Sequence, residues 1–254
     1  MHDACAMISA GNLRETLSNR LAQYRAKIMK YNETILDREL AKQQIDKESE
    51  RKSNIASILE ELWGGDRRVV LQKDIRKVSD LYQLIPDGTV PLRDPESQSK
   101  TFLRLEAELN QTIVESHRPI SLPDEIKVFA SLTGGLVGPG FAMLQETTVV
   151  TALLPSCFEV KSPDSLPNAT GLLAKYGWEF LAGFQWGGSG HEGTSHVVYG
   201  ICTNKDEHHF EKAETLGWLY VMTYSYDQVE VYKYLDEFVE DYTEAYAEMC
   251  EHWG

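Results

Sequence analysis

No arginine follows Arg118 in this chain of 254 residues. A segment without that planar, bidentate donor is poorly suited to gripping phosphates, so direct nucleic-acid binding by the second half is not expected. Cysteine is sparse as well. Cys5, Cys157, Cys202 and Cys250 lie far apart and never form a CxxC pair, which argues against a zinc site or a disulfide framework and for buried or incidental thiols. Long apolar runs are missing. Stretches such as 149–154 fall well short of the roughly 20 residues that cross a bilayer, so no membrane partner is expected. Residues 1–7 lack a basic region followed by an apolar core and do not read as a secretory signal. A reducing, cytoplasmic setting is the expectation, which makes the Asn-x-Thr triplets at Asn32, Asn110 and Asn168 chance matches.

What is present is an ordinary globular composition. Hydrophobic residues at 42% and charged residues at 25% exclude wholesale disorder and collagen-like structure. The charge, however, is unevenly placed. Residues 1–121 hold 19 basic and 19 acidic side chains, whereas residues 122–254 hold 6 lysines against 20 acids, so the net charge of -14 belongs entirely to the second half. Such a field favours encounter with a basic protein, by roughly 10 to 10³-fold at low salt. Solubility is the plainer explanation of the same charge.

Between Leu13 and Leu62 there is neither proline nor glycine, so a helix can run without a breaker. Leu17, Leu21, Tyr24, Ile28, Tyr31 and Ile35 follow one another at heptad spacing, a coiled-coil-like seam. The seam fails at Arg38 and Lys42, and residues 41–53 keep only Ile45 before Ile55, Ile58, Leu59 and Leu62 restore a stripe. So short a coiled coil is marginal alone. It must pack on a second copy as a homodimer, on the acidic domain, or on the following helices. Leu71, Ile75, Val78, Tyr82 and Ile85 again have helical spacing. Residues 86–100, with Pro86, Gly88, Pro91 and Pro95, read as a linker, and Phe102, Leu105, Leu109 and Ile113 mark a third helix.

The texture changes near Leu122. Pro123-Asp124-Glu125 is a helix start, with carboxylates toward the positive end of the dipole; Ile126, Phe129 and Leu132 give it an apolar face, ending at Gly134-Gly135. Trp178, Phe180, Phe184 and Trp186 fall on alternate positions, broken only by Ala182, as in a strand with one aromatic face. Residues 197–202, 219–224 and 229–232 supply further strands. A last helix puts Leu235, Phe238, Val239, Tyr242, Tyr246 and Met249 inward and Asp236, Glu237, Glu240, Asp241, Glu244 and Glu248 outward. This order predicts an α+β fold, a mixed or antiparallel sheet with flanking helices, behind a helical N-terminal region.

The searches for chemistry fail one by one. Gly188-x-Gly190-x-x-Gly193 matches a dinucleotide fingerprint but leads into another strand, where a helix N-terminus would be needed to hold pyrophosphate. His191-Glu192 is followed by His196, one place too late for two ligands on a helical face. Ser189 lacks the last glycine of a nucleophile elbow. Residues 134–140 lack the Lys-Ser/Thr ending of a phosphate loop. His208-His209 beside Asp206, Glu207 and Glu211 could bind a divalent ion, but a solvated acidic loop explains them as well. Without a positioned base, nucleophile or metal, a non-enzymatic binding protein with no cofactor is expected.

Leu122-Pro123-Asp124-Glu125-Ile126-Lys127-Val128-Phe129, then Leu132-Thr133-Gly134-Gly135, resembles the opening motif of the SUKH superfamily, which includes fungal cell-wall-synthesis regulators and bacterial toxin-immunity proteins. The strand of Trp178 to Trp186, the glycine-rich 187–193 and the helix Tyr234-Leu235-Asp236-Glu237-Phe238-Val239 are similar to the family's continuation. Thr133 stands where the family carries a polar residue such as asparagine. The resemblance covers about 119–250 and implies one α+β domain without enzymatic activity, whose surface holds other proteins. An N-terminal helical extension is more similar to the fungal adaptor type.

These readings divide the chain into a helical region, 1–118, with its linker near 86–100, and an acidic SUKH-like domain, 119–254. The expected function is that of an adaptor or regulator binding a basic protein partner. Candidate contacts are Trp186, His191, Glu192, Asp206, Glu207, Asp236 and Glu240, with Leu17, Leu21, Tyr24, Ile28, Tyr31 and Ile35 for self-association. One alternative is an immunity-type inhibitor of a cationic or nuclease toxin, active from Pro119 onward without the arm. Another is a metal-dependent hydrolase using His191, Glu192, His196 or His208-His209.

Overall fold

The breaker-free N-terminal stretch forms a 33-residue helix, α1 (Ala10–Lys42), in a computed structural model of the chain. The structure describes residues 10–64, 75–92, 94–113, 119–137, 140–141, 151–152, 159–161, 167–175, 178–188, 196–204, 216–224 and 228–252. Helix α1 stops where the apolar stripe fails. Gln44 takes φ 56°, its N–H donates to the Ala41 carbonyl at 3.1 Å, and the Ile45 N–H donates to the Leu40 carbonyl at 2.9 Å. That pair of bonds around a left-handed residue is a Schellman stop, and Ile45 packs on the cluster that holds Leu40. Helix α2 (Lys52–Trp63) follows and ends on Gly64 at φ 61°, a left-handed C-cap that glycine adopts without strain. The region expected to be helical over 71–85 is a 3₁₀ helix at Val78–Leu84; 71–74 lie outside the described residues. Its entry is tied sideways, with the Val78 and Ser79 N–H groups donating to Ser49 and Lys47 at 3.0 and 2.7 Å.

Residues 86–100 are built into the fold and do not act as a linker. The Asn32 amide donates to the Pro86 carbonyl at 2.9 Å. Gly88, at φ 75°, lies so close to α1 that a Cβ would come within 2.8 Å of Ile28. Thr89–Val90 form strand β1. Asp94 then caps helix α3 (Pro95–Thr112), accepting from the Ser97 N–H at 2.9 Å. Pro95 sits in the first turn of that helix, where no N–H partner is needed.

The second half contributes α4 (Asp124–Ala130), β2 (Gly135–Val137), β3 (Thr151–Ala152), β4 (Glu159–Lys161), α5 (Pro167–Lys175), β5 (Trp178–Gly188), β6 (His196–Asn204), β7 (Leu216–Tyr224), β8 (Gln228–Tyr232) and α6 (Leu235–His252). The strands form one sheet in the order β1-β2-β3-β5-β6-β7-β8, with β4 also on β5. Every described pairing is antiparallel, so the fold is α+β, and no parallel pair bears out the mixed element of the expectation among the described residues. The break in the aromatic alternation of β5 has a structural counterpart. Phe180 pairs with Cys202 and Ala182 with Ile201, so Leu181 is an extra residue in a bulge.

The principal core draws on both halves. Leu17, Leu21, Tyr24 and Ile28 of α1 and Leu105 and Leu109 of α3 join Ile126, Phe129, Phe184, Tyr220, Leu235, Phe238 and Tyr242 in one buried cluster. A second cluster gathers Leu36 and Leu40 of α1 with Ile55, Ile58, Leu59, Trp63, Val78, Leu81 and Phe141. A boundary at 118/119 therefore separates no two cores, and β1 from the first half pairs with β2 from the second.

The Leu132-Thr133-Gly134-Gly135 stretch is explained by this junction. The Gly134 N–H donates to the Val90 carbonyl at 2.9 Å, and a Cβ on Gly134 would stand 2.2 Å from the Pro91 carbonyl oxygen. The buried Thr133 hydroxyl lies 2.8 Å from the Gly135 carbonyl and 3.2 Å from that of Val90.

Candidate interaction surface

The heptad seam is covered from within the chain. Leu17, Leu21, Tyr24 and Ile28 are at most 3% exposed, and the Tyr24 hydroxyl donates to the Val137 carbonyl. Tyr31 and Ile35 fall half-buried on the flank of the helix. The expected self-association surface is thus filled by the chain's own sheet and helices, because an apolar face of that length gains more from a core than from water.

Alongside the seam, α1 carries bases that meet the acids of α6. Arg20 Nη1 lies 2.6 Å from Glu240 Oε1, and Lys27 pairs with Glu244. Arg14 donates to the Ser131 hydroxyl at 2.9 Å. Glu240, a predicted partner contact, is therefore engaged by Arg20. Asp236 is half-buried in the first turn of α6. Trp186 lies on β5, with its side chain outside the description, and His191, Glu192, Asp206 and Glu207 lie outside the described residues, as do His208 and His209. His196 begins β6.

Glu237 and Asp241 of α6, one helical turn apart, are exposed and make no ion pair with α1 among the described residues. Glu230 joins them. It is exposed on β8 and accepts from the Tyr232 hydroxyl, while the Tyr232 ring meets Phe238 of α6 edge-on at 5.7 Å. Period-two alternation puts Glu230 and Tyr232 on the face that α6 covers. None of Glu230, Glu237 and Asp241 makes an ion pair among the described residues. Glu237 and Asp241 were visible in the amphipathic pattern of the last helix. Glu230 was hidden inside a short strand run and is signalled only as its polar alternate.

Glu125 is the most unusual carboxylate described. From the first turn of α4 it reaches the start of α6, accepting from the Leu235 N–H at 3.2 Å. Burial pushes its pKa up; the Tyr220 hydroxyl and the Leu235 N–H oppose that, and the charges of Asp236 and Glu237 reinforce it. At the other end of α1, Asp37 is held below the usual carboxylate range by Lys47 (2.6 Å) and by the Tyr82 hydroxyl. Lys47 also lies 4.8 Å over the Tyr82 ring. These groups fasten elements together.

Among the described residues no group of three histidines, cysteines, aspartates or glutamates is placed to hold a metal ion, and no described helix is long and apolar enough to cross a membrane. No protein-family model, curated protein or solved structure matches this chain.

Proposed function

We propose that the chain is a non-catalytic protein-interaction module of SUKH type, a cytoplasmic adaptor or regulator that engages a basic protein partner through its acidic half. One observation carries the reading: α1 neutralises Glu240 and Glu244, yet Glu230, Glu237 and Asp241 remain exposed and make no ion pair among the described residues. The resemblance adds support, since its motif residues Leu122, Ile126, Phe129, Phe180, Phe184, Leu235 and Phe238 are all buried in an α+β core. Core residues of this kind define a scaffold, and function then resides in the surface it carries. The toxin-inhibitor form of the idea required a fragment beginning near Pro119, and the burial of α1 in the shared core counts against it.

Affinity capture with the full chain as bait, at about 50 mM and about 500 mM salt, tests the reading. Screening shortens the reach of exposed charges to a few ångströms at the higher salt. Proteins retained at low salt, lost at high salt and lost to a bait carrying Glu237→Lys and Asp241→Lys are the expected result. Capture indifferent to both salt and charge reversal would sink it.

A further inference from the structure

We infer that Glu125 is a proton-operated latch on the first turn of α6: protonated, it holds that turn in place, and ionised, it lets the turn open. The inference concerns the entry of one helix and does not depend on what the acidic half binds.

A helix leaves its first N–H groups without intrahelical partners. At the start of α6 the Leu235 N–H is satisfied from another element, since Glu125 Oε2 of α4 accepts it at 3.2 Å. The Tyr220 hydroxyl of β7 faces the same carboxyl. The Tyr220 ring in turn stacks on Phe238 at 6.0 Å, within the first turn of α6. Leu235 and Phe238 are fully buried. One half-buried side chain thus joins α4, β7 and the entry of α6.

The charges around that side chain are of one sign. Asp236 and Glu237 follow the bonded Leu235 directly, and Asp124 precedes Glu125. Bases on the neighbouring elements are engaged elsewhere. Lys127 of α4 pairs with Glu106 of α3 at 3.1 Å, Arg14 of α1 donates to the Ser131 hydroxyl, Arg20 pairs with Glu240, and Lys233 lies 5.6 Å from the Tyr234 ring. Among the described residues no ion pair includes Glu125.

A carboxylate in that setting is ionised against burial and against two like charges. A carboxylic acid keeps a carbonyl oxygen for the Leu235 N–H and gains an O–H that the Tyr220 oxygen can accept. Opening the first turn returns the group to water. The closed turn therefore binds the proton more tightly than the open one. The latch is at full strength below the ordinary glutamate range and weakens as pH rises through the raised folded value.

The test is hydrogen exchange of the full chain, corrected for the intrinsic pH dependence of amide exchange. It is read at Leu235 and at Phe238, whose N–H donates to the Tyr234 carbonyl at 3.2 Å. Both amides are expected to lose protection between about pH 4 and about pH 8. The opening responsible should be small, and hence insensitive to low urea. Glu125→Gln is neutral throughout and should abolish the pH dependence. Asp236→Asn combined with Glu237→Gln should move the loss to lower pH, a shift that a merely structural contact would not produce. Carboxyl-carbon resonance of Glu125 in the unaltered chain gives a readout that survives a poorly folding variant, and it is expected to titrate above the ordinary glutamate range. Titration within or below that range would overturn the latch. So would pH-independent protection at the two amides, an unchanged profile in Glu125→Gln, or exchange only through urea-sensitive global unfolding.

Discussion

Glu125 sets a pH dependence of unusual sign for a carboxylate. Its folded pKa is raised, first by burial, so the folded chain holds this proton more tightly than the unfolded one. Stability from this group is then complete below the ordinary glutamate range and falls as pH rises toward the raised value. Glu125→Gln keeps an oxygen that accepts from the Leu235 N–H and removes the charge. The variant is expected to be more stable than the parent near pH 7 and equal to it near pH 4, as read from urea unfolding at a series of pH values. Asp37 has the opposite sign: held low by Lys47 and Tyr82, it loses its contribution as pH falls through its folded value. Two backbone positions give simpler tests. Gln44 occupies the left-handed region without being glycine, so Gln44→Gly should stabilise by about 0.5–1 kcal/mol, less what the freer unfolded chain takes back. Gly134→Ala should cost at least about 2 kcal/mol, because its Cβ meets a backbone oxygen at 2.2 Å and β1 must shift. Thermal melting of the two variants separates these directions.

Among the elements, α1 shows how packing and charge divide the work. Leu21 is 3% exposed, and Leu21→Ala should cost about 2–5 kcal/mol. Arg20 and Glu240 are 26% and 45% exposed, and a double-mutant cycle between them should return about 0.2–1 kcal/mol after solvent screening. Coupling larger than the leucine loss would mean that charge, not the apolar seam, docks the helix. The helix was legible in the sequence from its lack of breakers, and so was the first half of its buried face. The second half was not. The heptad points to Tyr31 and Ile35, whereas the buried residues are Asn32, Leu36, Glu39 and Leu40. A straight helix has 3.6 residues per turn, so a stripe read at 3.5 drifts off the true inner face after two heptads. Asn32 could not be recognised as a core residue, because its amide is satisfied by the distant Pro86 carbonyl and Gly140 N–H. The strands at 197–202, 219–224 and 229–232 were readable from their β-branched and aromatic runs. Two-residue β1 carries too little pattern to be seen.

For the whole molecule, the charge partition and the core partition do not coincide. The acids cluster after residue 121, and that contrast suggested a domain boundary, but composition records no partner across it. The boundary vanishes once α1 and α3 are seen to complete the core around α4, β5, β7 and α6. The candidate surface was legible only in part for the same reason: which acids are free depends on which ones α1 neutralises, a tertiary fact. A fragment of residues 119–254 is therefore expected not to fold cooperatively. It would lack the six side chains that α1 and α3 place in the principal core, Leu17, Leu21, Tyr24, Ile28, Leu105 and Leu109, each contributing about 1.5–3 kcal/mol on burial. Their summed loss, about 9–18 kcal/mol, is as large as the roughly 5–15 kcal/mol that holds a typical domain folded. It would also lack β1, the neighbour of β2. Retained far-ultraviolet circular dichroism with weak near-ultraviolet signal, dye binding and a broad melt is the expected behaviour. A sharp two-state transition in the fragment, at the midpoint of the full chain, would show that the acidic half stands alone and that α1 is an appendage after all.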